Sequence, residues 1–173
     1  MKAQFEKKLK EKGFSFQCQT DDYYVLRHNH DSTGNVTVQL IYSEISEEVI
    51  RISNNGNEIE AIGYFKLKLM NKVNESDILV LTFQNNINRV IEFIIIPRIE
   101  LIKRLSRENR HSTDTQEIEF VFWLMPGNQL YETTNLGVEG EWYYLSMGLH
   151  RMADQTERDY SEFLNRWDIL TKS

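Results

Sequence analysis

The stretch that decides the fold is Asp77-Ile78-Leu79-Val80-Leu81-Thr82-Phe83-Gln84, then Arg89-Val90-Ile91-Glu92-Phe93-Ile94-Ile95-Ile96-Pro97, then Arg98-Ile99-Glu100-Leu101-Ile102-Lys103-Arg104-Leu105. Two apolar runs of strand length are joined by Asn85-Asn86-Ile87-Asn88, a connection short enough to favour an antiparallel hairpin. Their near-continuous apolarity marks both as central strands, because an alternating pattern would be needed for a strand with one wet face. Pro97 has no amide hydrogen for a sheet ladder and so closes the second strand. Beyond it Ile99, Ile102 and Leu105 recur at helical spacing with basic residues between them, which predicts a helix directly after the Ile-Ile-Ile-Pro strand.

Working outward, Met1, Phe5 and Leu9 form one stripe of an opening helix that Gly13 ends. Phe14 to Asn29 is aromatic and β-branched, with a break at Thr20-Asp21-Asp22, and Asp22 opens the second half as a strand. After the turn residues Asp31 to Asn35, Val36, Val38, Leu40 and Tyr42 alternate with Thr37, Gln39 and Ile41, a strand with one apolar face. A further turn, Ser53 to Asn57, precedes Ile59 to Leu69, where Phe65, Leu67 and Leu69 alternate with Tyr64, Lys66 and Lys68. Asn109 to Gln116 is a polar loop, Glu117 to Met125 a strand, and Pro126-Gly127 a breaker. Tyr160, Phe163, Leu164, Trp167 and Leu170 predict a final helix over about Glu157 to Leu170. The expectation is one α/β domain of the α+β kind over residues 1–173. Its central mixed β-sheet is flanked by an N-terminal helix, a helix after the Ile-Ile-Ile-Pro strand and a C-terminal helix.

Composition excludes several classes. With 40% hydrophobic and 27% charged residues among 173, the chain can build a core and is neither disordered nor a rod. No apolar run approaches the roughly 20 residues needed to span a bilayer, so no membrane association is expected. The opening MKAQFEKKLKEKGF lacks the unbroken apolar core of a signal peptide, which gives a cytoplasmic expectation. Cys18 is the single cysteine, so neither an intrachain disulfide nor a multi-cysteine zinc site can form. The 20 basic and 26 acidic residues leave a net charge of −6, the wrong sign for a protein that coats nucleic acid. Two segments are nevertheless locally basic, Lys2 to Lys12 and Arg98 to Arg110, each with five cations against two glutamates. Solvated helix faces are the plain account. The sharper one makes Lys103, Arg104 and Arg107 a nucleic-acid-facing edge.

Motifs with their own chemistry are few, and neither a phosphate-cradling glycine loop nor a Gly-x-Ser-x-Gly elbow is present. His28, His30 and Asp31 would place two imidazoles and a carboxylate near one strand end, a donor set that suits a divalent metal, although an exposed strand end explains them more simply. His111 and His150 receive no role. Trp142-Tyr143-Tyr144 and Trp123 would stack bases or ligands if exposed, and core packing is the commoner use of such rings.

The order of elements carries one resemblance. Lys12-Gly13-Phe14 ends the first helix, Asp22 leads a strand, and Val36-Thr37-Val38-Gln39 is followed by Tyr64-Phe65-Lys66-Leu67 and Asp77-Ile78-Leu79-Val80-Leu81. Then come Phe93-Ile94-Ile95-Ile96-Pro97-Arg98-Ile99-Glu100-Leu101 and, near the end, Tyr160 through Asn165-Arg166-Trp167-Asp168-Ile169-Leu170. This order resembles the restriction-endonuclease-like, or PD-(D/E)XK, superfamily of nucleases, over about residues 5 to 105 and the last helix. The resemblance implies Mg²⁺ held by acids from neighbouring strands, with a lysine that orients water against the scissile phosphate. It places Asp22 at the first acid, with Asp21 beside it, and Gln39 at the Glu/Gln position. The lysine position holds Ile41, which binds neither phosphate nor water. An active enzyme would therefore need Lys66 or Lys68, on the adjacent strand, as a relocated amine and Glu44 as the second carboxylate, with Asp22 and Glu44 on the metal.

Three functions stay open at this stage. The favoured one is a catalytically degenerate nuclease-like domain serving as a binding or interaction module, in the setting of bacterial DNA restriction or phage defence that the resemblance implies. The second is an active Mg²⁺- or Mn²⁺-dependent phosphodiesterase. The third is an unrelated α+β protein- or ligand-binding domain, with Leu136 to Trp142 as its contact loop. DNA and protein partners both fit, and no oligomeric symmetry is selected.

Overall fold

The computed structural model describes residues 1–28, 35–44, 59–68, 77–85, 87–107, 117–134 and 158–171. Among them are two α-helices and eight strands. Helix α1 (Lys2–Glu11) buries Phe5 and Leu9, and Gly13, at φ +80°, reverses the chain where a Cβ would be strained. Strands β1 (Phe14–Thr20), β2 (Tyr23–His28) and β3 (Val36–Tyr42) follow as an antiparallel meander. Beyond β4 (Ala61–Lys68), β5 (Asp77–Gln84) pairs parallel with β3 and antiparallel with β6 (Ile91–Pro97). The first sheet is thus mixed, in the order β1-β2-β3-β5-β6. Helix α2 (Arg98–Arg107) starts at the residue after Pro97. Strands β7 (Glu117–Met125) and β8 (Gln129–Glu132) join β4 in a second, antiparallel sheet of order β4-β7-β8.

The mixed α+β architecture expected from sequence is present, and the apolar hairpin shows why. Leu79, Leu81, Phe83, Ile94 and Ile96 face the second sheet and α2, in a core with Phe65, Phe120, Phe122, Leu101 and Leu105. Ile78, Val80, Phe93 and Ile95 face the other way, in a core with Phe5 and Leu9 of α1 and with Tyr24, Val38 and Leu40. Both faces of β5 and β6 are dry, so their alternation is lost. Among the described residues no helix is long and apolar enough to cross a membrane.

Two local expectations change. The strand carrying Lys66 does not lie beside β3 in the first sheet. It pairs with β7, from Ala61↔Leu124 to Lys68↔Glu117, because Ala61, Phe65 and Leu67 need an opposing apolar face and find it on β5. Two hydrogen bonds still hold β4 over the end of β3: Glu44 N donates to Tyr64 O (2.8 Å) and Tyr64 N to Ser43 Oγ (2.9 Å). Gly63 leaves room for the Phe65 ring, since a Cβ there would come within 2.6 Å of Phe65 Cε2.

The C-terminal segment is helical only in two short 3-10 pieces, Ser161–Phe163 and Trp167–Thr171. Tyr160, Phe163 and Leu164 enter the core beneath the second sheet, whereas Trp167 and Leu170 enter the α1 core. A straight helix has one face and cannot serve both sides of a sheet, so the chain wraps the free edge of β6 instead. Leu164 bridges Ile94, and Asn165, at φ +54°, donates its N–H to Phe93 O (2.7 Å) while its Oδ1 accepts from Phe93 N (3.2 Å). This clip covers an edge that would otherwise be open to strand addition.

The α1 core also predicts alkaline lability. Tyr24, packed edge-on to Phe5, donates its hydroxyl to Glu6 Oε1 (3.1 Å), and burial first, then Glu6, pushes its pKa up. Tyr42 is raised too, by burial and then by Asp22. A phenol whose folded pKa lies above its unfolded value contributes stability that is complete below about pH 10 and lost as pH rises beyond it. The wild-type urea midpoint should therefore fall as pH rises from about 10 to about 12, and Tyr24→Phe should fall less; equal losses would discount the phenol.

Candidate functional site

Asp22 lies in the turn between β1 and β2, exposed, with its carbonyl accepting from Leu40 N at 2.7 Å. That bond sets it opposite Leu40, one position past the pair Tyr23↔Gln39. It precedes Tyr24 by two residues, and its charge acts on Tyr42, both on the α1 side of the sheet. Gln39 points the other way. It is in register with Leu79 and, through it, Ile96, whose side chains belong to the core facing the second sheet. Backbone pairing therefore brings Asp22 and Gln39 close in sequence register, while the sheet itself separates their side chains. Asp21, beside Asp22, is taken by Lys2 Nζ at 3.1 Å.

Gln39 has a partner that the sequence reading overlooked. Arg98, the first residue of α2, crosses β5 and donates from Nη2 to Gln39 Oε1. The only signal for it in the sequence is a cation set directly behind an apolar strand and its terminating proline, where side chains at the helix start are drawn back over the sheet. Ile41 packs against the same core, which explains an aliphatic residue at that position.

Glu44 and Lys66 do come together. Lys66 Nζ is 3.3 Å from Glu44 Oε2 and lies 5.5 Å from the centre of the Tyr64 ring. The bond to Glu44 raises the lysine's pKa, so the amine is held protonated and cannot act as a base near neutral pH. Lys68 is paired by backbone with Glu117, and its side chain lies outside the described residues.

On α2, Lys103 is exposed but Arg104 is not. Arg104 does not join the expected basic edge: 8% exposed, it turns inward to Glu100 (3.3 Å), Glu162 and the carbonyl of Asp159, and lies over the rings of Tyr160 and Phe163. Its guanidinium is stacked on those two buried rings, so packing claims it before solvent can. The Arg107 side chain lies outside the described residues, as do the side chain of His28, and His30, Asp31, His111, His150, the stretch Leu136 to Trp142, and Tyr143 and Tyr144. Trp123 is buried with Met125 and Tyr131 on the outer face of the second sheet and is not a stacking platform. Among the described residues no group of three or more His, Cys, Asp or Glu could hold a metal ion.

Compared with known proteins, the chain matches no family model, no curated protein and no solved structure.

Proposed function

We propose that this chain is a catalytically silent, nuclease-like scaffold that serves as a cytoplasmic binding or interaction module, with DNA restriction or phage defence as the setting its resemblance suggests. The observation that carries this reading is the contact between Arg98 and Gln39. In an active site of the resembled kind the Gln39 position would face a divalent cation. Here its oxygen faces a guanidinium, whose permanent positive charge repels a metal ion and already uses the oxygen as an acceptor. The separation of Asp22 from Gln39 across the sheet, and the closed ion pair of Lys66 with Glu44, support the same reading.

The test is a Mn²⁺ titration by calorimetry on wild type and Asp22→Ala, with a nicking assay on plasmid and single-stranded DNA in the same buffer. The expected result is no saturable Mn²⁺ heat and no cleavage above buffer in either protein. Binding and cleavage that disappear together in Asp22→Ala would overturn the reading in favour of a metal-dependent phosphodiesterase.

A further inference from the structure

Arg98 is 5% exposed, yet its Nε and Nη1 have no hydrogen-bond partner among the described residues. Only Nη2 is engaged, and by a neutral amide oxygen. A guanidinium cannot shed its proton inside a protein, so the burial leaves a full positive charge with one neutral acceptor among the described residues. Buried charges are ordinarily paired. The same helix shows what pairing looks like: Arg104, about as buried, meets two carboxylates, a carbonyl and two rings. The nearest acid along α2, Glu100, is committed to Arg104. Arg98 is also the first residue of a ten-residue helix, so the positive end of the helix dipole adds to the field at its start.

We propose that Arg98 and Gln39 bind a small oxyanion, the phosphate or carboxylate group of a ligand, at the start of α2. The three N–H bonds of Nε and Nη1 are its donors, and the amide nitrogen of Gln39, left over once Oε1 has accepted from Arg98, is a further one. Gln39 and Thr37 are half-buried on that face, so the anion enters over β3. The inference rests on the reading that Gln39 serves no metal: a position that would ligate a cation in an active relative here orients a cation that calls for an anion.

The experiment uses the full chain in a chloride buffer of constant ionic strength, titrated with inorganic phosphate, with acetate, and with a short oligonucleotide carrying or lacking a 5′-phosphate. Wild type should show a saturable rise in thermal midpoint and a calorimetric heat with phosphate or acetate. Which salt acts separates a phosphate ligand from a carboxylate one, and a response confined to the phosphorylated oligonucleotide identifies a nucleic-acid end. Arg98→Lys should weaken binding by about tenfold or more, because a point charge replaces the planar donor set. Gln39→Leu should weaken it while the protein stays folded by circular dichroism. Arg98→Met should abolish the response and, in chloride alone, melt at or above the wild-type midpoint, as expected when an unpaired buried charge is removed. A wild type that responds to none of the probes beyond chloride overturns the inference, and so does an undiminished response in folded Arg98→Lys and Gln39→Leu. Absence of both Mn²⁺ binding and anion binding defeats this inference alone. Mn²⁺ binding that is lost in Gln39→Leu defeats the binding-module reading beneath it.

Discussion

Phe65→Ala is expected to cost about 3–5 kcal/mol and to lower the thermal midpoint by roughly 6–20 °C for a chain of this size. Phe65 is fully buried where the second sheet lies on the first. Its ring meets Phe83 of β5 and Phe122 of β7 edge-on, at centroid distances of 6.3 and 6.0 Å. The ring is also the near neighbour of Gly63, so truncation opens a void that no side chain on residue 63 can fill. Because strands are stiff and the sheets are braced by the hydrogen bonds between Ser43, Glu44 and Tyr64, the site cannot collapse cheaply. Urea unfolding followed by tryptophan fluorescence measures the loss; a change below about 1.5 kcal/mol would mean that the two sheets are not packed through this residue.

Arg104→Ala should be the most damaging change of a charged residue, at about 2–4 kcal/mol. Most of that cannot come from Glu162, whose side chain is 61% exposed, since an ion pair in that environment is worth little. The larger losses are the hydrogen bond to the Asp159 carbonyl and the stacking over Tyr160 and Phe163, at 4.7 and 4.9 Å from the ring centres. Arg104→Lys should recover less than half of the loss, because one ammonium group cannot reach acceptors on both α2 and the C-terminal segment while covering two rings. Raising salt should leave the deficit largely unchanged, as befits packing rather than exposed charge. Full recovery in Arg104→Lys would show that charge alone is what the site needs.

Some of this molecule was legible from residue order. The hairpin Asp77–Gln84 and Ile91–Pro97, the helix that follows Pro97, the opening helix with Phe5 and Leu9, and the strand Val36–Tyr42 are local patterns whose period or terminators state their structure. The break at Asp21-Asp22 is of the same kind. Misread elements share a different property. The C-terminal residues Tyr160 to Leu170 have a helical period, yet their apolar side chains belong to two cores on opposite sides of a sheet. The spacing of apolar residues reports that they are buried, without saying that one face buries them all.

The candidate site divides in the same way. Glu44 and Lys66 are 22 positions apart in sequence and meet because β4 crosses the end of β3. Asp22 and Gln39 are adjacent in register and are parted by the sheet. The sequence by itself determined which segments extend or coil and where they stop, for these follow from near-neighbour chemistry. Only the tertiary structure decided that the described strands divide into two sheets, that Arg104 is an internal strut, and that Arg98 arrives at Gln39 with donors to spare. The face that each side chain is given depends on which apolar surfaces find one another across distant parts of the chain, and a one-dimensional pattern does not contain that choice.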